Sequence, residues 1–142
     1  MAGTGGLLVV PEVLKTEVDQ LRARGIAVSI HELNQQCFVR VLGLEAPSPP
    51  WGAAAHDLVI AIPAAYPKAQ LDAFYLAHPY VFREGTHPRV NGDKISLGER
   101  TWQLVSWHYP EARAWIPGQD CLETHITHCR GFFLQRGAIN AM

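Results

Sequence analysis

The first stretch of the chain carries its apolar residues at a helical period. They recur every three or four positions, at Val10, Leu14, Val18 and Leu21. This spacing predicts an α-helix with one apolar face, which must lie against a second layer of the protein. Pro11 suits the first helical turn, and Gly25 suits the position just beyond the C-terminal end.

The pattern then changes to the period of two that is typical of β-strands. Short, largely apolar runs lie at 26–30, 38–42, 57–62 and 73–76. The proline-rich stretch 46–52 cannot continue a strand, because proline lacks the backbone donor. Consecutive short strands with short links usually pair with each other, so the sequence predicts a four-stranded antiparallel meander.

Regular patterning stops between residues 77 and 118, where prolines and glycines interrupt every long element. The aromatic side chains of this stretch need a packed surface, so we expect a loop that is long but ordered. Long loops of this kind usually carry function. The aromatic residues are Tyr80, Phe82, Trp102, Trp107, Tyr109 and Trp115.

A second helix is predicted from Asp120 onward. Asp120 is a candidate N-terminal cap, and Glu123 follows three residues later. The apolar stripe of this helix consists of Leu122, Ile126, Cys129 and Phe133. We expect the helix to end before Gly137. The order of helix, four-stranded meander, long loop and helix predicts an α+β fold with helices against one face of an antiparallel sheet.

Composition narrows the class of protein. A chain of 142 residues is long enough for one sizeable core, so we expect a single domain over residues 1–142 with its core at about 10–135. Lys and Arg number 12 and Asp and Glu number 13, for a net charge of -1. This balance argues against binding of nucleic acid through its phosphates and against a basic membrane-binding surface.

Two further features of the sequence bear on the cellular compartment of the protein. No apolar run approaches the roughly 20 residues that span a bilayer, and residues 1–6 lack the basic start of a secretory signal. Cys37, Cys121 and Cys129 are too few, and odd in number, for a disulfide framework. We therefore expect a cytoplasmic protein, and the sequence indicates no bound cofactor.

Several short motifs occur in the order in which ubiquitin-conjugating enzymes carry them. Residues 62–67 read Ile-Pro-Ala-Ala-Tyr-Pro and resemble the FPxxYP signature that ends the third strand of that family. Gly43 and the Pro-Pro-Trp-Gly turn at 49–52 precede this motif, and Phe74 follows it at the place of the fourth-strand phenylalanine. Trp-Ile-Pro at 115–117 is similar to the W-S-P that precedes the next helix of the family.

Residues 87–97, from His-Pro-Arg-Val to Ile-Ser-Leu, resemble the family's active-site segment, HPNV…G.ICL. The closer resemblance is to a bacterial branch, the prokaryotic ubiquitin-conjugating-like family E. Its pattern runs YPxxxxDxFY, then WQxxSxH, then WxPGxDxLxTxI. This chain matches these three strings at 66–75, 102–108 and 115–126.

The resemblance implies a ubiquitin-conjugating-like fold and a role in a bacterial modification pathway, with antiphage defence as a setting. It implies that the protein accepts the C-terminus of a ubiquitin-like modifier from an activating enzyme and transfers it to a target. The implied partners are a ubiquitin-like modifier protein, a ubiquitin-activating-like enzyme and an associated deconjugating protease. The resemblance implies neither binding of nucleic acid nor association with a membrane.

At the position of the family's cysteine nucleophile this chain has Ser96. A serine can carry the modifier as an oxyester if a base lies within hydrogen-bond reach. Candidate bases are His87 and His108, and Asn91 is a candidate donor to the oxyanion of the transition state. Two acidic residues of the same stretch are candidates to orient the base, Asp93 and Glu99.

Two alternatives remain open. In one, Cys121 is the nucleophile, because a helix N-terminus lowers the pKa of a thiol and His125 follows one turn later; the same cysteine also suits a small, partly buried packing role. In the other, the chain is catalytically inactive and binds the modifier or the activating enzyme as an adaptor.

The remaining histidines and aromatic residues suggest structural roles. Four residues of the predicted second helix have the spacing of metal ligands: Cys121, His125, His128 and Cys129. One helix seldom supplies four ligands, and this stripe is also the apolar face of the helix. We therefore expect no metal site. Tyr66 and Trp51 are predicted to support the core. The histidines predicted at the surface or at strand edges are His31, His56 and His78.

Overall fold

The computed structural model describes residues 10–134. Its elements are α1 (Glu12–Ala23), β1 (Ala27–Leu33), β2 (Gln36–Glu45), β3 (Ala55–Ile62), β4 (Phe74–His78), β5 (Val90–Leu97), β6 (Arg100–Val105) and α2 (Leu122–Phe133). The predicted α+β order is confirmed, with six strands in the described part instead of four. Neither α1 nor α2 is long and apolar enough to cross a membrane. The prediction about a secretory signal falls on residues outside the described range.

Helix α1 buries the stripe that its sequence predicts. Leu14, Val18 and Leu21 are buried, and they belong to the main apolar core. Pro11 is the N-cap residue. The chain leaves the helix through Gly25, whose φ of +87° lies in the left-handed region. Glycine adopts this conformation without a Cβ clash, so the predicted helix end is confirmed.

The strands form one antiparallel sheet in the order β1-β2-β3-β4-β6-β5. Strands β1 to β4 pair in succession as the predicted meander. The register of β2 against β3 shifts between Val41 and Leu44. Gly43 lies in this irregularity with φ +68°, and its N–H donates to Asp57 at 2.8 Å. The edges of the described sheet are β1 and β5.

The stretch 77–118, predicted to lack regular structure, contains a β-hairpin instead. Strands β5 and β6 pair across a two-residue turn at Gly98 and Glu99. Both turn residues have positive φ, +62° and +63°, which is typical of tight hairpin turns. Trp102 is fully buried and its Nε1–H donates to the Leu97 carbonyl at 2.9 Å. Sequence patterning missed β5 because this edge strand is mostly polar and exposed.

The two faces of the sheet bury separate clusters. The main core includes residues of both helices, and within it Trp51 packs against Phe132 and Phe133 of α2. The second cluster is smaller and consists of Phe38, Val59, Ala77, Leu97 and Trp102. Arg100 of the hairpin forms an ion pair with Asp57 of β3 at 2.8 Å, which holds the hairpin against the sheet.

Tyr66 and Trp51 are core residues, as predicted, with 3% and 7% of their surface exposed. The Tyr66 hydroxyl donates to Glu17 Oε1 at 2.6 Å. The same oxygen accepts the N–H of Leu122 at 3.2 Å. Burial, followed by the Glu17 carboxylate, raises the pKa of Tyr66. Glu17 therefore joins α1 to the Tyr-Pro segment and to the start of α2.

Asp120 does not cap α2, contrary to the prediction. The N-cap is Cys121, which makes no side-chain capping hydrogen bond. The Asp120 carboxylate instead accepts the N–H of Ile116 at 2.7 Å and pairs with Arg113 at 2.6 Å. Arg113, and then the Ile116 N–H, lower the pKa of Asp120. The helix ends at Phe133, within the predicted limit.

Candidate functional site

Ser96 lies near the end of edge strand β5, two residues before the hairpin turn. It is directly opposite Thr101 of β6 and is exposed. Its hydroxyl makes no hydrogen bond with any of residues 10–134. The side chain is therefore open to a large partner, and no base within the described chain prepares it for attack.

His87 is a buried structural residue. Only 2% of its surface is exposed, and its ring stacks on Trp51 at a centroid distance of 5.7 Å. Its Nδ1 accepts the N–H of Arg89 at 3.0 Å, and its own N–H donates to the Tyr80 hydroxyl at 3.1 Å. Burial, followed by Arg89, lowers the pKa of His87. The ring therefore shapes the chain that leads into β5 and does not face Ser96.

His108 pairs with Asp72. Its Nδ1 lies 2.9 Å from Oδ2 and 3.1 Å from Oδ1 of Asp72. The two side chains are 57% and 47% exposed. A carboxylate at Nδ1 orients an imidazole and leaves its other nitrogen free to exchange a proton, which is the geometry of a general base.

The strand register separates His108 from Ser96. Ser96 is opposite Thr101, whereas Val105, four residues further along β6, is opposite Phe74. At about 3.3 Å per residue of strand these two positions are about 13 Å apart. His108 follows Val105 by three more residues, so its ring lies beyond hydrogen-bond reach of Ser96.

Asn91 lies at the other end of β5 from Ser96. Its Oδ1 accepts the hydroxyl of Ser106 at 2.8 Å. The predicted arrangement of Asn91 as an oxyanion donor beside Ser96 is not formed in this structure. Asp93 and Glu99 are exposed, and neither carboxylate binds a histidine of the described chain.

A family model described as prokaryotic E2 family E matches residues 13–134. E2 denotes the conjugating-enzyme class to which the motifs are similar, and the match covers most of the chain. This chain belongs to prokaryotic E2 family E. No curated protein and no solved structure matches it.

The cysteines of this family E protein lie away from the β5–β6 hairpin. Cys37 is buried in β2, and Cys129 is fully buried in α2. Burial raises the pKa of both thiols. Cys121 is half-buried at the start of α2, with its Sγ 3.4 Å from Thr124 Oγ1.

The predicted pairing of Cys121 with His125 is not formed. The Nδ1 of His125 accepts the Tyr109 hydroxyl at 2.8 Å, and its Nε2 donates to the Ala73 carbonyl at 2.7 Å. Burial is the main cause that lowers the pKa of His125 to about 4, so the ring is neutral at pH 7. Within residues 10–134, no group of three or more His, Cys, Asp or Glu side chains could hold a metal ion.

Two features of the family E protein escaped the sequence patterns. Asp72 and His108 each lie in a motif string, but they are 36 positions apart and no local periodicity links them. His56, predicted at the surface, is 8% exposed and stacks on Phe133 at 3.8 Å between centroids. The position of His56 at the start of a largely apolar strand was the available signal for its burial.

Proposed function

We propose that this protein accepts the C-terminus of a ubiquitin-like modifier from an activating enzyme and transfers it to a target through an oxyester on Ser96. The family supports a conjugating-enzyme role. The observation that carries the proposal to Ser96 is its exposed hydroxyl on an edge strand, unengaged within the described chain. The motif resemblance aligns Ser96 with the family's cysteine.

In the loading step, Ser96 Oγ attacks the carbonyl carbon of the thioester held by the activating enzyme. The Oγ–C bond forms, the C–S bond breaks, and the serine proton passes to a base. An amine or hydroxyl of the target then attacks the oxyester and releases Ser96. Because His87 and His108 do not contact Ser96, we assign the base for loading to the docked partner.

The two histidines have different parts in this proposal. His87 stabilises the approach to β5 from within the core. His108 is oriented by Asp72 and half exposed. It therefore presents an oriented imidazole beyond the end of β6, away from Ser96.

A non-catalytic adaptor for the modifier or the activating enzyme is the second candidate function. The observation that favours it is the separation of Ser96 from both predicted bases. A fold can be kept for binding after its chemistry is lost.

The test is an adduct assay with the cognate modifier, activating enzyme and ATP. We expect wild-type protein to form an adduct that survives thiol and is cleaved by alkaline hydroxylamine. Ser96→Ala should form none, and Ser96→Cys should form an adduct that thiol cleaves. Ser48→Ala, a serine of the 46–54 loop, is the matched control and should behave as wild type.

Adduct on the Ser96→Ala protein would overturn the serine carrier. The adaptor function is supported instead if no variant forms an adduct but the wild-type protein elutes with modifier or activating enzyme as a stable complex in gel filtration.

A further inference from the structure

Ser29 and His31 form a hydroxyl–imidazole pair on β1, the edge of the described sheet opposite to β5. They are two residues apart in one strand, so their side chains project from the same face. Ser29 Oγ lies 2.7 Å from His31 Nε2. Of the serines in residues 10–134, only Ser29 contacts an imidazole. Ser106 instead binds Asn91.

The His31 ring is suited to accept the serine proton. Burial, followed by the charge of Arg40, lowers its pKa from the usual value, which favours the neutral ring. A neutral imidazole protonated at Nδ1 has a lone pair at Nε2, and Nε2 is the atom that faces Ser29. In that tautomer the Ser29 hydroxyl donates to Nε2, a nitrogen that can take up its proton.

Arg40 supplies a positive charge beside this pair. It lies directly opposite Ser29 in the register of β1 and β2, which places the two Cβ atoms about 4.5–5.5 Å apart. Within residues 10–134 the Nε of Arg40 is buried without a hydrogen-bond partner, and the charge of Arg40 helps to lower the pKa of Asp57. The nearby carboxylate of Asp57 is already held by Arg100 and by the Gly43 N–H.

A buried guanidinium N–H without an acceptor is costly, because burial removes the water that it would otherwise bind. Three groups thus lie on the same face of β1 and β2: a hydroxyl, an imidazole at hydrogen-bond distance from it, and a guanidinium with an unsatisfied N–H. These are the parts of a site for nucleophilic acyl transfer.

We propose that Ser29, His31 and Arg40 form a second acyl-accepting site, whose substrates are activated carboxylic esters or thioesters. Ser29 Oγ attacks the acyl carbon while its proton passes to His31 Nε2. Arg40 neutralises the tetrahedral oxyanion. The bond from carbon to the leaving oxygen or sulfur breaks, and the leaving group takes the proton from His31. Water then hydrolyses the acyl-serine with His31 as base. This site is independent of Ser96.

The test uses a fluorophosphonate probe, which reacts with activated serines and needs neither modifier nor activating enzyme. Ser29 Oγ attacks phosphorus and fluoride leaves. Tandem mass spectrometry of one digest measures the extent of labelling at each serine, so Ser48 and Ser96 serve as internal references. We expect Ser29 to react about 100-fold faster than Ser48, which is the low end of the contribution of a general base.

Variants separate the roles of the three residues. His31→Gln keeps a hydrogen-bonding partner for Ser29 but cannot take its proton, so labelling should fall about 100-fold. Arg40→Gln should lower the rate about tenfold or more, and Arg40→Lys should restore part of it. Ser96→Ala should leave the labelling of Ser29 unchanged. Far-UV circular dichroism and the thermal midpoint of each variant check that the fold is kept.

Equal labelling of Ser29 and Ser48 would overturn this inference. So would wild-type labelling of Ser29 in a folded His31→Gln protein. Neither result bears on the Ser96 adduct, which is measured with modifier and ATP, so the two proposals fail separately.

Discussion

The carboxylate of Asp72 holds Nδ1 of His108 at 2.9 Å, although 36 positions separate the two residues. The contact forms because β4 and β6 are neighbours in the sheet and Phe74 is opposite Val105. Asp72 precedes β4 and His108 follows β6, so both lie at the same end of these strands. The pair is open to solvent, and exposed pairs of this kind usually contribute little to folding, so its functional role can be tested directly.

Replacement of His108 by alanine should lower the free energy of unfolding by less than about 1 kcal/mol, because exposed ion pairs contribute little. Urea denaturation followed by circular dichroism measures this. A loss of modifier transfer by the stable His108→Ala protein would then report on function. A destabilisation above about 2 kcal/mol would show that the pair is structural.

The buried His125 should make stability depend on pH. Its pKa in the folded protein is about 4, below the value of about 6.5 in an unfolded chain. The unfolded state therefore binds more protons between these values, and stability falls as pH drops from about 6.5 to 4. Urea unfolding at several pH values should show a shallower fall for His125→Gln than for wild type. Equal slopes would contradict this assignment.

The hairpin turn contains a residue that glycine would replace favourably. Glu99 has φ +63°, a conformation that costs a residue with a Cβ about 1–2 kcal/mol, partly offset by the entropy of glycine in the unfolded chain. Glu99→Gly should therefore raise the free energy of unfolding by roughly 0.5 kcal/mol. The matched control is Glu111→Gly, outside the hairpin, which should not stabilise. Lower stability of Glu99→Gly in urea denaturation would count against this turn geometry.

The hydrogen bond between Tyr66 and Glu17 should make a measurable contribution to the free energy of unfolding. Tyr66→Phe removes a hydroxyl that donates to a carboxylate at 2.6 Å and keeps the ring in the core. Hydrogen bonds to charged groups contribute about 1.5–3 kcal/mol, so stability should fall by about this amount. Tyr75→Phe is the control, because its hydroxyl makes no hydrogen bond with the described residues. Equal effects of both variants in chemical denaturation would contradict the link.

Local periodicity predicted the elements whose apolar residues face one continuous core. The stripe of α1 and the meander β1–β4 appear where the pattern placed them, because each buries a regular series of side chains. The order of motifs indicated the family, which the match over residues 13–134 confirmed.

The β5–β6 hairpin could not be predicted in the same way. Its buried residues, Leu97 and Trp102, pack against Phe38 and Val59, which come from strands far away in the chain. Edge strand β5 presents most of its side chains to solvent. A strand with so few buried positions has no period that a sequence pattern can detect.

The sequence by itself determined the fold class and the family, and it made Ser96 the candidate nucleophile by motif similarity, because these depend on residue types in order along the chain. Only the tertiary structure decided which imidazole meets which partner. His87 entered the core, His108 joined Asp72, and His31 met Ser29 beside the charge of Arg40. The reason is geometric: proton transfer needs hydrogen-bond distances between side chains, and strand pairing brings together residues that the sequence keeps apart.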